Sequence, residues 1–248
     1  MQINLPEIFE TKGKIESIEQ LLPTIFKIKM IINTVVPFLA GQYLNVIMGA
    51  EDKRPFSIAS VQSESAKGTT LIELHIGGTE LNEYSFQVIQ KATEQGYLDI
   101  ELPKGDCYLR KESVRPLLLI AGGTGYSYIR PLLIEALANP VGENTIRPIY
   151  FYWGVNRVSF LYDLDSIRAL EDNFDELFFN PVVVSPNHGW QGKTGMVLDV
   201  IEKDFADLSE FDVYLAGPIA MAKEARDRLI KNRNVSMSNL FSDTYSYI

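Results

Sequence analysis

The chain has 248 residues, is 46% hydrophobic and 22% charged, and carries a formal net charge of −9. That length holds ample core for one large domain or two small ones, and the composition is ordinary globular usage. One cysteine, Cys107, excludes an internal disulfide framework and any cysteine-rich metal or iron–sulfur site, two scattered histidines (His75 and His188) do not make a zinc site, and the negative balance opposes nucleic-acid binding. No apolar run is long enough to span a bilayer, and the first residues lack a basic stretch followed by an apolar one, so a cytoplasmic protein with no membrane partner is expected.

Residues 1 to about 110 read as short strands with turn punctuation. The pattern predicts strands over 12–19, 25–31, 42–48, 56–61, 71–76 and 97–101, separated by Pro37, Gly41, Gly49, Gly68 and Gly96. A short helix is predicted over 80–93 from Leu81, Tyr84, Val88 and Ile89. Six strands and one helix suggest a small antiparallel β-barrel.

From Arg115 the rhythm becomes strand–helix–strand. Strands are predicted over 117–121, 148–153, 178–184, 213–215 and 240–241, and helices over 128–138, 161–170, 196–203 and 220–231. That alternation implies a doubly wound, parallel, five-stranded sheet. The chain is thus expected to divide into a domain 1–110 and a domain 111–248, with the boundary in the charged segment 110–115.

The strand at 117–121 runs directly into Gly122-Gly123-Thr124-Gly125, and a helix with Ile129, Leu132, Leu133, Ala136 and Leu137 at helical spacing follows. Strand, glycine turn and helix start form a site for nucleotide phosphates: the backbone approaches closely, free N–H groups donate, and the helix dipole favours negative charge. Tight strand-to-helix turns also need glycine for steric reasons alone. Asn187–Lys193 reads as a loop, more readily a plain turn than part of a nucleotide groove.

Arg54-Pro55-Phe56-Ser57 on a barrel, followed by Gly122-Gly123-Thr124-Gly125 and Ala216-Gly217-Pro218 on an α/β domain, resembles the ferredoxin–NADP reductase superfamily. The resemblance is closer to its small bacterial branch, the NAD(P)H:flavin oxidoreductases, including those that accompany luciferase. It extends over nearly the whole chain through Ala40-Gly41-Gln42-Tyr43-Leu44, Glu73-Leu74-His75-Ile76-Gly77-Gly78, Tyr152-Trp153-Gly154 and Phe241-Ser242-Asp243. The implied fold is a Greek-key barrel that binds flavin, joined to a domain that binds NAD(P)H.

The resemblance implies that Ser57 serves flavin N5, where a hydroxyl that both donates and accepts suits either redox state. Arg54 would face the ribityl chain or phosphate, and Pro55 and Phe56 complete the motif. Strand alternation separates Phe56 from Ser57, which favours the core for Phe56. His75, Ile76 and Gly77 lie on the implied second flavin strand, with His75 equally readable as a cross-strand surface residue. FAD-retaining relatives hold the pyrophosphate next with a Gly-x-x-Ser turn, whereas this chain reads Gly78-Thr79-Glu80-Leu81-Asn82-Glu83. Carboxylates at that helix start repel a diphosphate. Flavin (FMN, riboflavin or FAD) is therefore expected to be an exchangeable substrate.

On the other domain, Gly122, Gly123, Thr124 and Gly125 would cradle the NAD(P)H pyrophosphate, and Ala216, Gly217 and Pro218 would place the nicotinamide. Trp153 and Arg157 close a strand end where relatives choose between coenzymes. Arg157 either meets a 2′-phosphate or is an exposed strand-end arginine; no second basic residue is near, so NADH is at least as well favoured as NADPH. Tyr245-Ser246-Tyr247-Ile248 is aromatic where larger relatives stack a terminal ring on flavin, and reads equally as a β-extension. The implied activity is hydride transfer from nicotinamide C4 to flavin N5, held about 3–3.5 Å apart, with no metal required. Reduced flavin would pass to a monooxygenase, a luciferase or a ferric complex. The alternatives are an electron-transfer flavoprotein with tightly bound flavin and a non-catalytic NAD(P)H or flavin sensor.

Overall fold

The structure is a computed structural model and describes residues 6–62, 68–77, 83–140 and 146–244. The chain divides into two compact units: Met1–Leu109 with Arg130–Leu132, and Arg110–Ile129 with Leu133–Ile248.

The first unit contains β1 (Phe9–Leu22), β2 (Ile25–Ile32), β3 (Tyr43–Gly49), β4 (Asp52–Ser57), β5 (Thr70–Gly77), α1 (Glu83–Gln95) and β6 (Tyr97–Lys104). Every ladder is antiparallel, in the order β4-β3-β6-β1-β2-β5. Alternation drives the inward faces together: Ile28, Met30, Leu44, Val46, Ile72, Leu74 and Ile100 are fully buried in one core. Helix α1 buries Ser85, Val88, Ile89 and Ala92, a stripe at helical spacing.

The fourth strand differs from its expected position over 56–61. Arg54-Pro55-Phe56-Ser57 ends β4 rather than opening a strand. Beyond Ser57 the backbone leaves its ladder and turns the barrel corner: Ile58 N–H donates to Gln42 O at 3.1 Å, then Ala59 N–H donates to Glu73 O at 2.8 Å. Those two bonds carry the chain from β3 to β5, so no single ladder can continue. Pro55 is tolerated because β4 has a ladder partner, β3, on one side only.

The second unit contains β7 (Leu117–Gly122), α2 (Tyr126–Ala138), β8 (Ile149–Val155), α3 (Leu164–Glu171), β9 (Leu177–Val183), β10 (Lys193–Thr194), α4 (Val197–Asp204), β11 (Asp212–Ala216), α5 (Ile219–Arg233) and β12 (Leu240–Phe241). All its ladders are parallel, in the order β10-β9-β8-β7-β11-β12. Strand β7 is buried along its whole length, as a central parallel strand requires. The sheet has six strands where five were expected. The extra strand, β10, is a two-residue pairing against β9 at the edge, too short to leave an alternating pattern. Arg147 and Asp212 form a buried ion pair at 3.0 Å, and Arg147 also donates to the carbonyls of Arg110 and Arg115.

Candidate active site

Strand order in the second unit reverses between β7 and β11. Chain connections leave in opposite directions there, and in open α/β sheets ligands bind outside the carboxyl ends of the strands at that point. Two glycine-containing turns occupy it. Gly122-Gly123-Thr124-Gly125 closes β7 and leads into α2; Ala216-Gly217-Pro218 closes β11 and leads into α5.

The structure divides the expected phosphate cradle into different tasks. A Cβ on Gly125 would strike the Ala216 carbonyl and come within 2.8 Å of Gly217 N. A Cβ on Gly122 would strike Met221 Sδ and stand 3.3 Å from Pro218 Cδ. These two glycines let the turns pack against each other. Gly123 is different: its φ of +54° is left-handed, and a Cβ there would meet nothing within 4 Å. Gly123, Thr124 and Gly125 are half-buried, whereas Gly122 is buried.

Helix electrostatics distinguish the same place. Helices α1, α3 and α4 carry Glu83, Asp165 and Asp199 in their first turns. Helices α2 and α5, which begin at the two turns, carry no acidic residue there. The Tyr126 amide that opens α2 is engaged by the Gly123 carbonyl of the preceding turn; the other N–H groups at a helix start lack intrahelical partners and sit at the positive end of the dipole. An anionic diphosphate fits this donor set.

Trp153 does not reach outward as expected of a coenzyme contact. It is completely buried, its Nε1 donates to Gly123 O at 3.0 Å, and its ring stacks on Tyr126 at 4.2 Å between centroids. Tyr126 OH donates to Asp163 Oδ2 at 2.5 Å, and Tyr162 meets both rings edge-on. Sequence reasoning missed this support. The aromatic residue types are visible in the sequence, but nothing in it pairs Tyr126 with an aspartate 37 positions away. Arg157 is exposed just beyond β8, and its guanidinium forms no ion pair among the described residues.

In the first unit, Phe56 packs against the barrel core and strand alternation turns Ser57 to the other face. Ser57 is half-buried and pairs across the ladder with Tyr43. Arg54 has a different occupation from the ribityl or phosphate contact expected of it. It is buried, bonds Asp52 through Nε and Nη2 at 2.8 and 2.6 Å, and reaches α1 at Gln87 Oε1 and the Tyr84 carbonyl. The Asp52 hydrogen bond and charge raise the Arg54 pKa and lower that of Asp52. Arg54 thereby ties α1 to β4.

His75 is buried rather than a surface residue, with Nε2 2.9 Å from Glu73 Oε1. Burial pushes the Glu73 carboxyl up, but the His75 hydrogen bond and nearby cationic charge bring it below its usual range. Ile76 points into the core, and Ile76 and Gly77 pair with Phe26 and Ile25 of β2 at the end of β5. Residues 78–82, the expected FAD-pyrophosphate position, and the terminal tyrosines lie outside the described residues. Glu83 is in the first turn of α1, a poor partner for a diphosphate.

Residues 119–227 match the oxidoreductase NAD-binding domain family. Over 239 residues the chain is 41% identical to an NAD(P)H-flavin reductase of Vibrio harveyi, covering 95% of this chain and 98% of the relative. The chain belongs to the NAD(P)H-flavin reductases. An NAD(P)H-flavin reductase of Aliivibrio fischeri is 38% identical with the same coverage. The fold is that of the ferredoxin reductases: the ferredoxin reductase in carbazole 1,9a-dioxygenase superposes with a TM-score of 0.75 at 21% identity, covering 94% of this chain and 68% of that one. The cytochrome b5 reductase domain of Ulva prolifera nitrate reductase also gives 0.75, at 16% identity and 94% and 96% coverage. No helix among the described residues is long and apolar enough to cross a membrane.

Proposed function

We propose that this flavin reductase oxidises NAD(P)H and passes the hydride to a free flavin that binds as a substrate and leaves reduced. One hydride and one solvent proton convert the flavin, and NAD(P)⁺ is the second product. The observation that carries this reading is the pair of interlocked turns at the strand-order reversal, each opening a helix with an acid-free first turn. In it, N–H groups of the Gly123–Gly125 turn hold the coenzyme diphosphate and Ala216-Gly217-Pro218 backs the nicotinamide.

On the barrel, Ser57 hydrogen-bonds the reacting edge of the flavin, and backbone groups of Ile76 and Gly77 meet its pyrimidine edge. Arg54 acts by fixing α1 against β4, since its donors are engaged by Asp52, Tyr84 and Gln87. Glu83 in the first turn of α1 favours flavins held without a diphosphate contact, which supports riboflavin and FMN as exchanging substrates. The setting is the cytoplasm, where NAD(P)H is available, and the consumer of reduced flavin is a monooxygenase, a luciferase or a ferric complex.

The test is NADH oxidation by dialysed protein with and without added riboflavin and FMN. Oxidation that requires added flavin and saturates with it is expected. A yellow protein that reduces an artificial acceptor without added flavin would instead be an electron-transfer flavoprotein.

A further inference from the structure

The Gly123–Thr124 peptide can face two ways, and only one presents a donor to a ligand. A trans peptide points its C=O and N–H in opposite directions. Here the Gly123 carbonyl points inward, accepting from Trp153 Nε1 at 3.0 Å and from the Tyr126 amide. The Thr124 N–H therefore points away from the buried indole.

The choice of tryptophan matters because its indole nitrogen donates only. Flipping the peptide would set the Thr124 N–H against the indole N–H, donor facing donor, inside a site with no exposure at Trp153 or Tyr126. The indole cannot swing away. Tyr126 stacks on it with rings 14° from parallel, Tyr162 closes its edge at 5.2 Å, and Asp163 holds the Tyr126 hydroxyl.

We infer that Trp153 is a positioning residue for the coenzyme: its indole N–H locks the Gly123 carbonyl inward, so that the Thr124 amide is presented to the diphosphate, with Tyr126 and Asp163 holding the indole. This rests on the proposed binding of NAD(P)H at the Gly123–Gly125 turn. It reassigns Trp153 from a ligand contact to a residue that acts through the backbone.

The test is calorimetric titration of NADH into flavin-free wild type and W153F, together with the riboflavin KM and the melting temperature of each. Phenylalanine keeps an aromatic ring and removes the donor. The expected result is an NADH Kd raised threefold or more with a riboflavin KM within twofold of wild type. A smaller rise in Kd, or a rise in both constants by the same factor, overturns the inference, because general loosening does not discriminate between the two ligands. If W153F does not fold, Y126F, which frees the stack from Asp163, carries the test: the NADH Kd alone must rise, and no rise overturns the inference. Wild type that binds NADH yet leaves riboflavin unreduced would overturn the flavin-reductase reading, while the titrations would still decide the role of Trp153.

Discussion

Gly125 lies against the backbone of Ala216 so closely that a Cβ on Gly125 would reach 2.8 Å from Gly217 N and closer still to the Ala216 carbonyl. Neither obstacle is a flexible side chain. Gly125→Ala is therefore expected to cost about 3 kcal/mol or more, the upper end for overpacking. Gly123→Ala meets no atom and pays only for its left-handed φ, about 1–2 kcal/mol. Thermal or urea unfolding of the two variants checks the order, and equal losses would contradict the division of labour between these glycines.

Ser57→Ala should slow flavin reduction at saturating NADH and flavin by roughly tenfold, equivalent to about 1.4 kcal/mol. Its hydroxyl is half-buried at the end of β4 and lies on the face opposite Phe56, so its loss leaves the barrel core intact. Stopped-flow bleaching of the flavin measures the step directly. An unchanged rate removes Ser57 from the reaction.

The two architectures were legible because their periods differ: alternation in 25–32 and 43–49, continuous burial in 117–122. The glycine turn was legible as a turn, but three glycines in a row of four do not reveal which one faces outward. That depends on Met221, Pro218 and Ala216, nearly a hundred positions later. The protein partners of Arg54 were illegible for a similar reason. Its partner Asp52 is two residues away, but Gln87 and the Tyr84 carbonyl come from a helix whose docking on β4 has no local signature. The resemblance put Trp153 at a strand end where relatives choose between coenzymes; a residue's place on a strand does not tell what covers it.

We propose that Arg157 bears on the choice between the two coenzymes. It is exposed beyond β8 with no ion pair among the described residues, and a 2′-phosphate would give it a charge-assisted bond that NADH cannot. Arg157→Ala is expected to raise the KM for NADPH about tenfold, as loss of a charged hydrogen bond of about 1.5 kcal/mol does. The KM for NADH should stay within twofold. Equal KM changes for both coenzymes would place Arg157 off the 2′-position.

Acid sensitivity should trace in part to Glu101 in the barrel. Its carboxylate accepts from Lys104 at 2.8 Å, Lys53 at 3.0 Å and Asn45 at 3.3 Å. The Lys104 hydrogen bond foremost, with Lys53 and Asn45 adding to it against the cost of burial, brings its pKa down to about 2 from 4.5. A carboxyl depressed on folding contributes stability that is complete above the unfolded value and is lost as pH falls through the folded one. The window for Glu101 is therefore about pH 4.5 down to about 2. Glu101→Gln should cost roughly 1–2 kcal/mol at pH 7, the scale of a charged hydrogen bond, and flatten the pH dependence within that window. Urea unfolding at pH 7, 5 and 3 checks both: the gap between wild type and variant must narrow toward pH 3, and a constant gap would show that packing, not charge, is what Glu101 supplies.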